Sequence, residues 1–354
     1  MGAAVNIDKP PRVAELSAAD PIADNARKAL AVGAASLEHN RIPSELGEVE
    51  ALHQLRVATR RLRACVELFA GSLYASKVNL YKRDLPWVAA QAGAARECDV
   101  IAALLQARAA KMDIASPDLI APMIEALAVR RADEHRKLCA LLRSRRYRNL
   151  IAKLHAPALK KTAAVVKLGD AAASAVRPIA RSAMRMGAKV APDASSTVFH
   201  KLRVRVKRLR YALEMLSALG GKRHRKVLSR LEDLQEALGL CNDADVAIGW
   251  LRSYAETSGA PPRTILAAGA LTQAIAVREQ KFRRRSIKGW RRLDRSGAIG
   301  EAIEEIRKNG RLAAAVEIQP DSSSEETSNI ASPDRNLEPA PQTESTGTSE
   351  TTGV

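Results

Sequence analysis

An eighteen-residue phrase occurs twice in this chain with its spacing intact. Residues 52–69 read LHQLRVATRRLRACVELF, and residues 199–216 read FHKLRVRVKRLRYALEML. His53 aligns with His200, Arg56 with Arg203, Arg60 with Lys207, Arg61 with Arg208, Arg63 with Arg210 and Glu67 with Glu214. A duplicated unit constrains architecture more tightly than any sum of propensities, because both copies must adopt one local fold. The relation runs beyond a single helix. GAARECDVIAALL at 93–105 parallels GLCNDADVAIGWL at 239–251, pairing Gly93 with Gly239, Asp99 with Asp245 and Val100 with Val246. A weaker echo sets RRYRNLIAKL (145–154) beside RRSIKGWRRL (284–293), which predicts that each half ends on a basic helix. The halves are placed at 16–160 and 161–312.

The duplicated text is helical. Aromatic residues are only 3% of the chain, too few for a β-sandwich or barrel core, and the fold class expected is all-α. Capping residues stand beside helix starts at Asp20–Pro21, Ser116–Pro117 and Ser195–Ser196, and Gly71, Gly220–Gly221 and Gly259 mark turns. About ten helices are expected, several longer than 18 residues, with short connections and no strand. Residues 1–15 lack periodicity, and residues 313–354 are rich in Ser, Thr, Glu and Pro, so both ends are expected to be disordered.

Each residue of an α-helix turns by about 100°, so His53, Arg56, Arg60 and Arg63 fall on one stripe. His200, Arg203, Lys207 and Arg210 repeat it. Leu55, Leu62, Val66 and Phe69 gather on the opposite side of the first copy, and Leu202, Leu209, Leu213 and Leu216 on that of the second. These apolar faces should anchor the helices and turn the cations away from the core. Like charges three and four residues apart repel, so the rows do not serve helix stability and call for an anion. Glu67 and Glu214, one turn beyond Arg63 and Arg210, would orient those guanidinium groups without neutralising four charges. Mixed Arg and Lys rows suit a repetitive phosphate ligand. His53 and His200 would add charge on mild acidification and strengthen binding. A solvated face is the ordinary reading of one basic stripe, and the second copy argues against it. His39, His135, His155 and His224 stand alone and are read as ordinary core or surface histidines.

Net charge agrees. The chain carries +18, and from residue 318 seven acids face one arginine, a net −6 that leaves +24 elsewhere. Such a body needs an anionic partner. The acidic tail is read as solubilising, with competition for the basic groove as the alternative. Cys65, Cys98, Cys139 and Cys241 stand far apart with no C-x-x-C pair, which points to free thiols in a reducing compartment and away from structural zinc. No signal-peptide core and no run of membrane-spanning length is present. A cytoplasmic protein without membrane contact is expected, of unassigned oligomeric state.

The two signatures together resemble the CHAD family, the conserved-histidine α-helical domain, over roughly residues 16–312. The resemblance implies two tandem four-helix bundles with long antiparallel helices, related by a pseudo-twofold axis. It also implies a basic central groove that binds inorganic polyphosphate, and association with polyphosphate granules. Carried over position by position, the polyphosphate-binding residues are His53, Arg56, Arg60, Arg61, Arg63, His200, Arg203, Lys207, Arg208 and Arg210. The helical projection supports eight of them and turns Arg61 and Arg208 to one side. The family's usual Arg-Asp-x-Asp turn appears as Arg96–Glu97–Cys98–Asp99, and as Asn242–Asp243–Ala244–Asp245 in the second half. Family members are often fused to a CYTH-type triphosphate tunnel domain, for which this chain leaves no room, so no catalysis of that kind is expected.

Other classes fit less well. Nonspecific nucleic-acid binding is the alternative, with weak contact expected to coexist, although Tyr211 is the one aromatic in the rows available for stacking. A metal ion or an enzyme is disfavoured: each motif places one histidine among cations, with no carboxylate cluster and no Walker-type loop. Asp99 and Asp245, each before an apolar helix, are read as N-caps. No cofactor, no metal and no catalytic residue is assigned.

Overall fold

The periodic text folds into eleven α-helices among the residues described by this computed structural model, which are 14–112, 117–160 and 164–316. The first half comprises α1 (Ile22–His39), the single turn α2 (Arg41–Glu45), α3 (Val49–Leu68), α4 (Ala75–Ala109), α5 (Pro117–Arg143) and α6 (Arg145–His155). The second comprises α7 (Leu168–Gly187), α8 (Ser196–Met215), α9 (Lys222–Thr257), α10 (Pro262–Arg295) and α11 (Ala298–Val316). No strand occurs among the described residues, only isolated bridges between Pro21 and Lys167 and between Leu73 and Leu159. The fold is all-α.

Helix packing repeats with the sequence. In each half the signature helix lies against the first helix and the long fourth one: α3 against α1 and α4, α8 against α7 and α9. Across the halves each helix meets its counterpart, α3 with α8, α4 with α9, α5 with α10 and α1 with α7, the pattern of an isologous interface. The predicted anchors are buried: Leu55, Leu62, Val66 and Phe69 in α3 and its C-cap, and Leu202, Leu209, Leu213 and Leu216 in α8 and its C-cap, are at most 2% exposed.

The apolar cores are not divided one per half. The larger joins α1, α3, α6, α7, α8 and α11 to the near parts of α4 and α9 and the far ends of α5 and α10. The smaller is a four-helix packing that both halves build, from the far ends of α4 and α9 and the near ends of α5 and α10. Helix α4 leaves the first core after Ala95 and enters the second at Cys98, while α9 does so between Leu238 and Ala244.

Several local expectations give way to this arrangement. Arg96–Glu97–Cys98–Asp99 and Asn242–Asp243–Ala244–Asp245 form no turn and cap no helix, because they lie inside α4 and α9. Burial at Ala92, Ala95, Cys98, Ile101 and Leu105 shows a helical period running straight through. Asp99 instead holds Arg131 of α5 at 2.6 Å, and Asp245 accepts from Ser196 of α8 at 3.1 Å. The echo at 284–293 is the last third of α10 rather than a helix of its own. The helix that ends the second half, α11, carries three acids against three bases. Helical structure also extends past the expected boundary at 313, with Ala314 buried and its carbonyl accepting from Lys167 at 2.8 Å. At the other end Ala14 packs against the larger core. The remaining expectations for the two ends, and the cap at Ser116, lie outside the described residues.

One contact fixes how closely the second half closes. Helices α7 and α11 cross at Gly169 and Gly310, where a Cβ on either residue would run into the other's backbone carbonyl oxygen. Backbone cannot yield as a side chain does, so Gly310→Val should force the helices apart. The expected loss is about 3 kcal/mol, the upper range for overpacking, and several degrees of thermal midpoint. An unchanged unfolding curve would show that the crossing is looser than this.

Candidate functional site

The two basic rows meet where α3 crosses α8. A cavity of about 300 Å³ opens there, lined by Arg60 and Arg63 of α3 and by His200, Arg203, Lys207 and Arg208 of α8. Pro86, Ala89 and Ala90 of α4 supply one wall, and among the described residues no carboxylate lines it. Six of the ten predicted residues therefore share one space.

Their surroundings show cations under strain of charge. Burial, together with Arg203 and Arg60, pushes Lys207 down to about 6 against the pull of Asp243. Burial also lowers Arg203, again with Arg60 opposing its charge and Asp243 favouring it. The Arg203 Nε is buried and has no hydrogen-bond partner among the described residues. Arg63 is lowered by burial and by Arg208, with Glu67 pulling the other way. Of these cations Arg208 alone makes an ion pair among the described residues, with Glu67, and the remainder form a site prepared for an anion.

His200 is oriented for this space. Its Nδ1 lies 2.8 Å from the Asn242 amide oxygen, which assigns the proton to Nδ1. Its Nε2 is then an acceptor in the neutral ring and a donor to phosphate once protonated.

The other four candidates sit elsewhere. Arg56 turns to α4 and donates from Nη1 to the carbonyls of Gly93 at 2.7 Å and Ala92 at 3.3 Å. Burial, first, then Arg60, Arg203 and Arg96, bring it down to about 10. It therefore adds positive potential beside the cavity while its hydrogen bonds brace α3 on α4. His53 does not line the cavity, and partial desolvation holds it below the usual imidazole range, with Arg96, Arg60 and Arg56 reinforcing the effect and Glu50 opposing it. His53 is exposed, and its partial desolvation beside these arginines makes it harder to charge than an ordinary imidazole, which weakens the response expected of it on mild acidification. Arg210 is spent on Gln235, at 2.9 Å, on Glu214, and on the Tyr211 ring face, 4.6 Å from its centroid. Arg61 lies on the far side of α3, 4.0 Å from Glu214, in a separate cavity lined by α1 residues.

Glu214 orients Arg210 as expected, but Glu67 reaches across the helix crossing to Arg208 at 3.3 Å. Arg61–Glu214 and Arg208–Glu67 are thus reciprocal pins between α3 and α8, and only Arg208 of the two arginines also lines the cavity.

The asymmetry comes from α4 and α9. Continuing the Gly93–Gly239 alignment places Pro86, Ala89 and Ala90 opposite Glu232, Gln235 and Glu236. Small residues leave room beside Arg60 and Arg63, and Pro86 removes one helical hydrogen bond there. On the other side Gln235 fills the equivalent place and ties Arg210 down. Asp243 and Arg96, at the junction of the two cores, act electrostatically on the rows and were assigned no role from sequence. The alignment of small against polar residues was the signal that could have located the opening.

The lone histidines are structural where contacts are shown: His224 Nε2 lies 3.0 Å from the Leu213 carbonyl, His135 Nε2 3.0 Å from that of Ser44, and His155 2.7 Å from Glu38. All four cysteines are free, three of them buried. Among the described residues no group of three His, Cys, Asp or Glu could hold a metal ion, and no helix is long and apolar enough to cross a membrane.

These features define an internally duplicated helical protein with a cation-lined cavity at the crossing of its two repeated helices. The chain belongs to the CHAD family: the CHAD domain model matches residues 26–252. Its fold is similar to the crystal structure of the CHAD domain from the plant Ricinus communis, with a TM-score of 0.66 and 24% identity over 82% of this chain and 97% of that one. It is also similar to PptA from Streptomyces chartreusis, with a TM-score of 0.64 and 20% identity over 77% of this chain and 100% of that one. Comparison with curated proteins gave no match.

Proposed function

We propose that this chain is a non-catalytic inorganic polyphosphate-binding protein of the cytoplasm, associated with polyphosphate granules. The observation that carries the reading is the cavity in which Arg60, Arg63, His200, Arg203, Lys207 and Arg208 converge with no carboxylate among the described lining residues. A string of phosphates supplies the missing counter-charge at several points without demanding a single register. Membership of the CHAD family supports the same ligand class.

Nucleic acid is the weaker reading because stacking has no partner here. Tyr211 is 4% exposed and lies beneath Arg210 and Arg61, so its ring cannot receive a base. A cavity of this size also excludes a duplex.

The test is a salt-resolved comparison of long-chain polyphosphate, duplex DNA and RNA with the full chain. Polyphosphate should bind tightest at equal phosphate concentration. The cavity should contribute a log–log slope of about −3.5 to the fall of affinity with rising salt, from its five Arg and Lys side chains at the roughly 0.7 per contact of single-stranded polyanions. Displacement of polyphosphate by DNA at equal phosphate would reverse the assignment.

A further inference from the structure

The last third of α10 carries a second set of cations that the cavity does not use. Arg284, Lys288, Arg291, Arg292 and Arg295 are all exposed, and with Pro192 they line an open groove of about 730 Å³. None of the five makes an ion pair among the described residues. The neighbouring arginines on other faces behave differently. Arg285 binds Glu236 at 2.6 Å, and Arg283 binds Glu279, Ser196 at 2.7 Å and the Ala194 carbonyl at 2.8 Å. The one acid in residues 284–296, Asp294, is turned to a different cavity between α7 and α11. Among the described residues counter-charge is thus kept off this groove, while Arg283 and Arg285 on the neighbouring faces are paired.

We propose that this groove is a second polyphosphate-binding surface, where a chain engaged in the α3–α8 cavity, or a second chain, is held along α10. The proposal rests on the polyphosphate reading of the cavity. A row of cations at i, i+4, i+7 and i+11 follows one helix face for about 16 Å at 1.5 Å per residue, a length that matches a linear polyanion rather than a compact anion. The groove offers its ligand charge alone. Ile287 and Trp290 are 7% and 3% exposed, so no aromatic face is presented for base stacking and no apolar side chain for insertion into a lipid surface. A concave strip along one helix also fits a thin chain better than a duplex.

Two separated sites on one protein make chain length matter. A long polyphosphate that reaches both gains from the high effective concentration of its own second segment, and tripolyphosphate does not. The test compares the full chain with the variant Arg284→Gln, Lys288→Gln, Arg292→Gln, Arg295→Gln, and with Lys288→Glu alone as a milder control whose fold is not in question. Helicity is checked in each. For the quadruple variant the expected result is a long-chain affinity lowered about a hundredfold, a salt slope shallower by about 3, and tripolyphosphate stoichiometry falling from two to one. Lys288→Glu should shift long-chain affinity in the same direction. Unchanged long-chain affinity and slope in both variants, with wild-type binding intact, would overturn the α10 surface alone. Loss of DNA retention with polyphosphate binding untouched would overturn it in favour of a nucleic-acid surface. Failure of the wild type to bind any polyphosphate would overturn the reading of the cavity as well, and so stands apart from the first two outcomes.

Discussion

Replacing Arg60, Arg203 and Lys207 together by methionine is expected to weaken polyphosphate binding by about a thousandfold and, at the same time, to raise the thermal midpoint of the empty protein. Both effects have one cause. The three side chains face one cavity with no carboxylate among its described lining residues. Burial and mutual repulsion disfavour the charge of Arg203 and Lys207, and Arg60 contributes to the repulsion in both cases. Methionine keeps an unbranched stem of similar length and removes the desolvated charge. Removing uncompensated buried charge is stabilising, here on the order of 2 kcal/mol once solvent screening at the open side is allowed for. Removing three charge-assisted contacts to phosphate, at about 1.5 kcal/mol each, lowers affinity about a thousandfold. Unchanged polyphosphate affinity in the triple variant would show that the cavity does not hold the ligand. A lowered midpoint would show that these cations hold the helices together. The two readouts separate a binding role from a structural one, since a structural cation would lose stability and binding together.

The parts of this molecule that were legible in its sequence are those that depend on one helix at a time. The period of Leu55, Leu62 and Val66 fixes which side of α3 is buried, and its repeat at Leu202, Leu209 and Leu213 fixes that of α8. What a helical projection cannot contain is the neighbour. Arg56 lies on the predicted stripe, yet two carbonyls of α4 take its hydrogen bonds. Arg210 lies on it too, yet Gln235 and Glu214 hold it. Arg208 projects off the stripe and still lines the cavity, because the wall opposite it is made of Ala89, Ala90 and Pro86. Asp99 and Asp245 were read as caps because each precedes an apolar run, but that run continues a helix already under way, and packing along α4 and α9 outweighs the roughly 1 kcal/mol that Gly93 or Gly239 costs within it. The duplication was legible, and the loss of symmetry at the ligand was not. It arises from three non-identical pairs on α4 and α9, Pro86, Ala89 and Ala90 against Glu232, Gln235 and Glu236, which lie outside the repeated motifs.

Polyphosphate binding should be accompanied by uptake of close to one proton around neutral pH, and the group that takes it should be Lys207. In the empty cavity this amine titrates at about 6, so near neutrality and above it is largely uncharged, although its ordinary value is 10.5. A phosphate chain beside it replaces the cations' repulsion with attraction and raises that value, so the bound protein holds a proton that the free one lacks. Affinity must then fall as pH rises from about 6 toward the bound value, by up to tenfold per pH unit for one linked proton. Stability of the empty protein moves in the opposite sense. Between about 6 and 10.5 the unfolded chain binds the extra proton, so stability increases with pH through that window and is lowest, and flat for this group, below it. The sequence alone pointed to histidine protonation on mild acidification, but partial desolvation beside Arg96, Arg60 and Arg56 lowers His53, while the large shift in the cavity falls on the lysine. Calorimetric titration in buffers of different ionisation enthalpy measures the proton directly. Lys207→Arg should retain binding and lose the uptake, since arginine stays charged in both states, whereas His53→Gln should leave the uptake in place. Equal heats in all buffers for the wild type, or uptake that persists in Lys207→Arg, would remove Lys207 from this role.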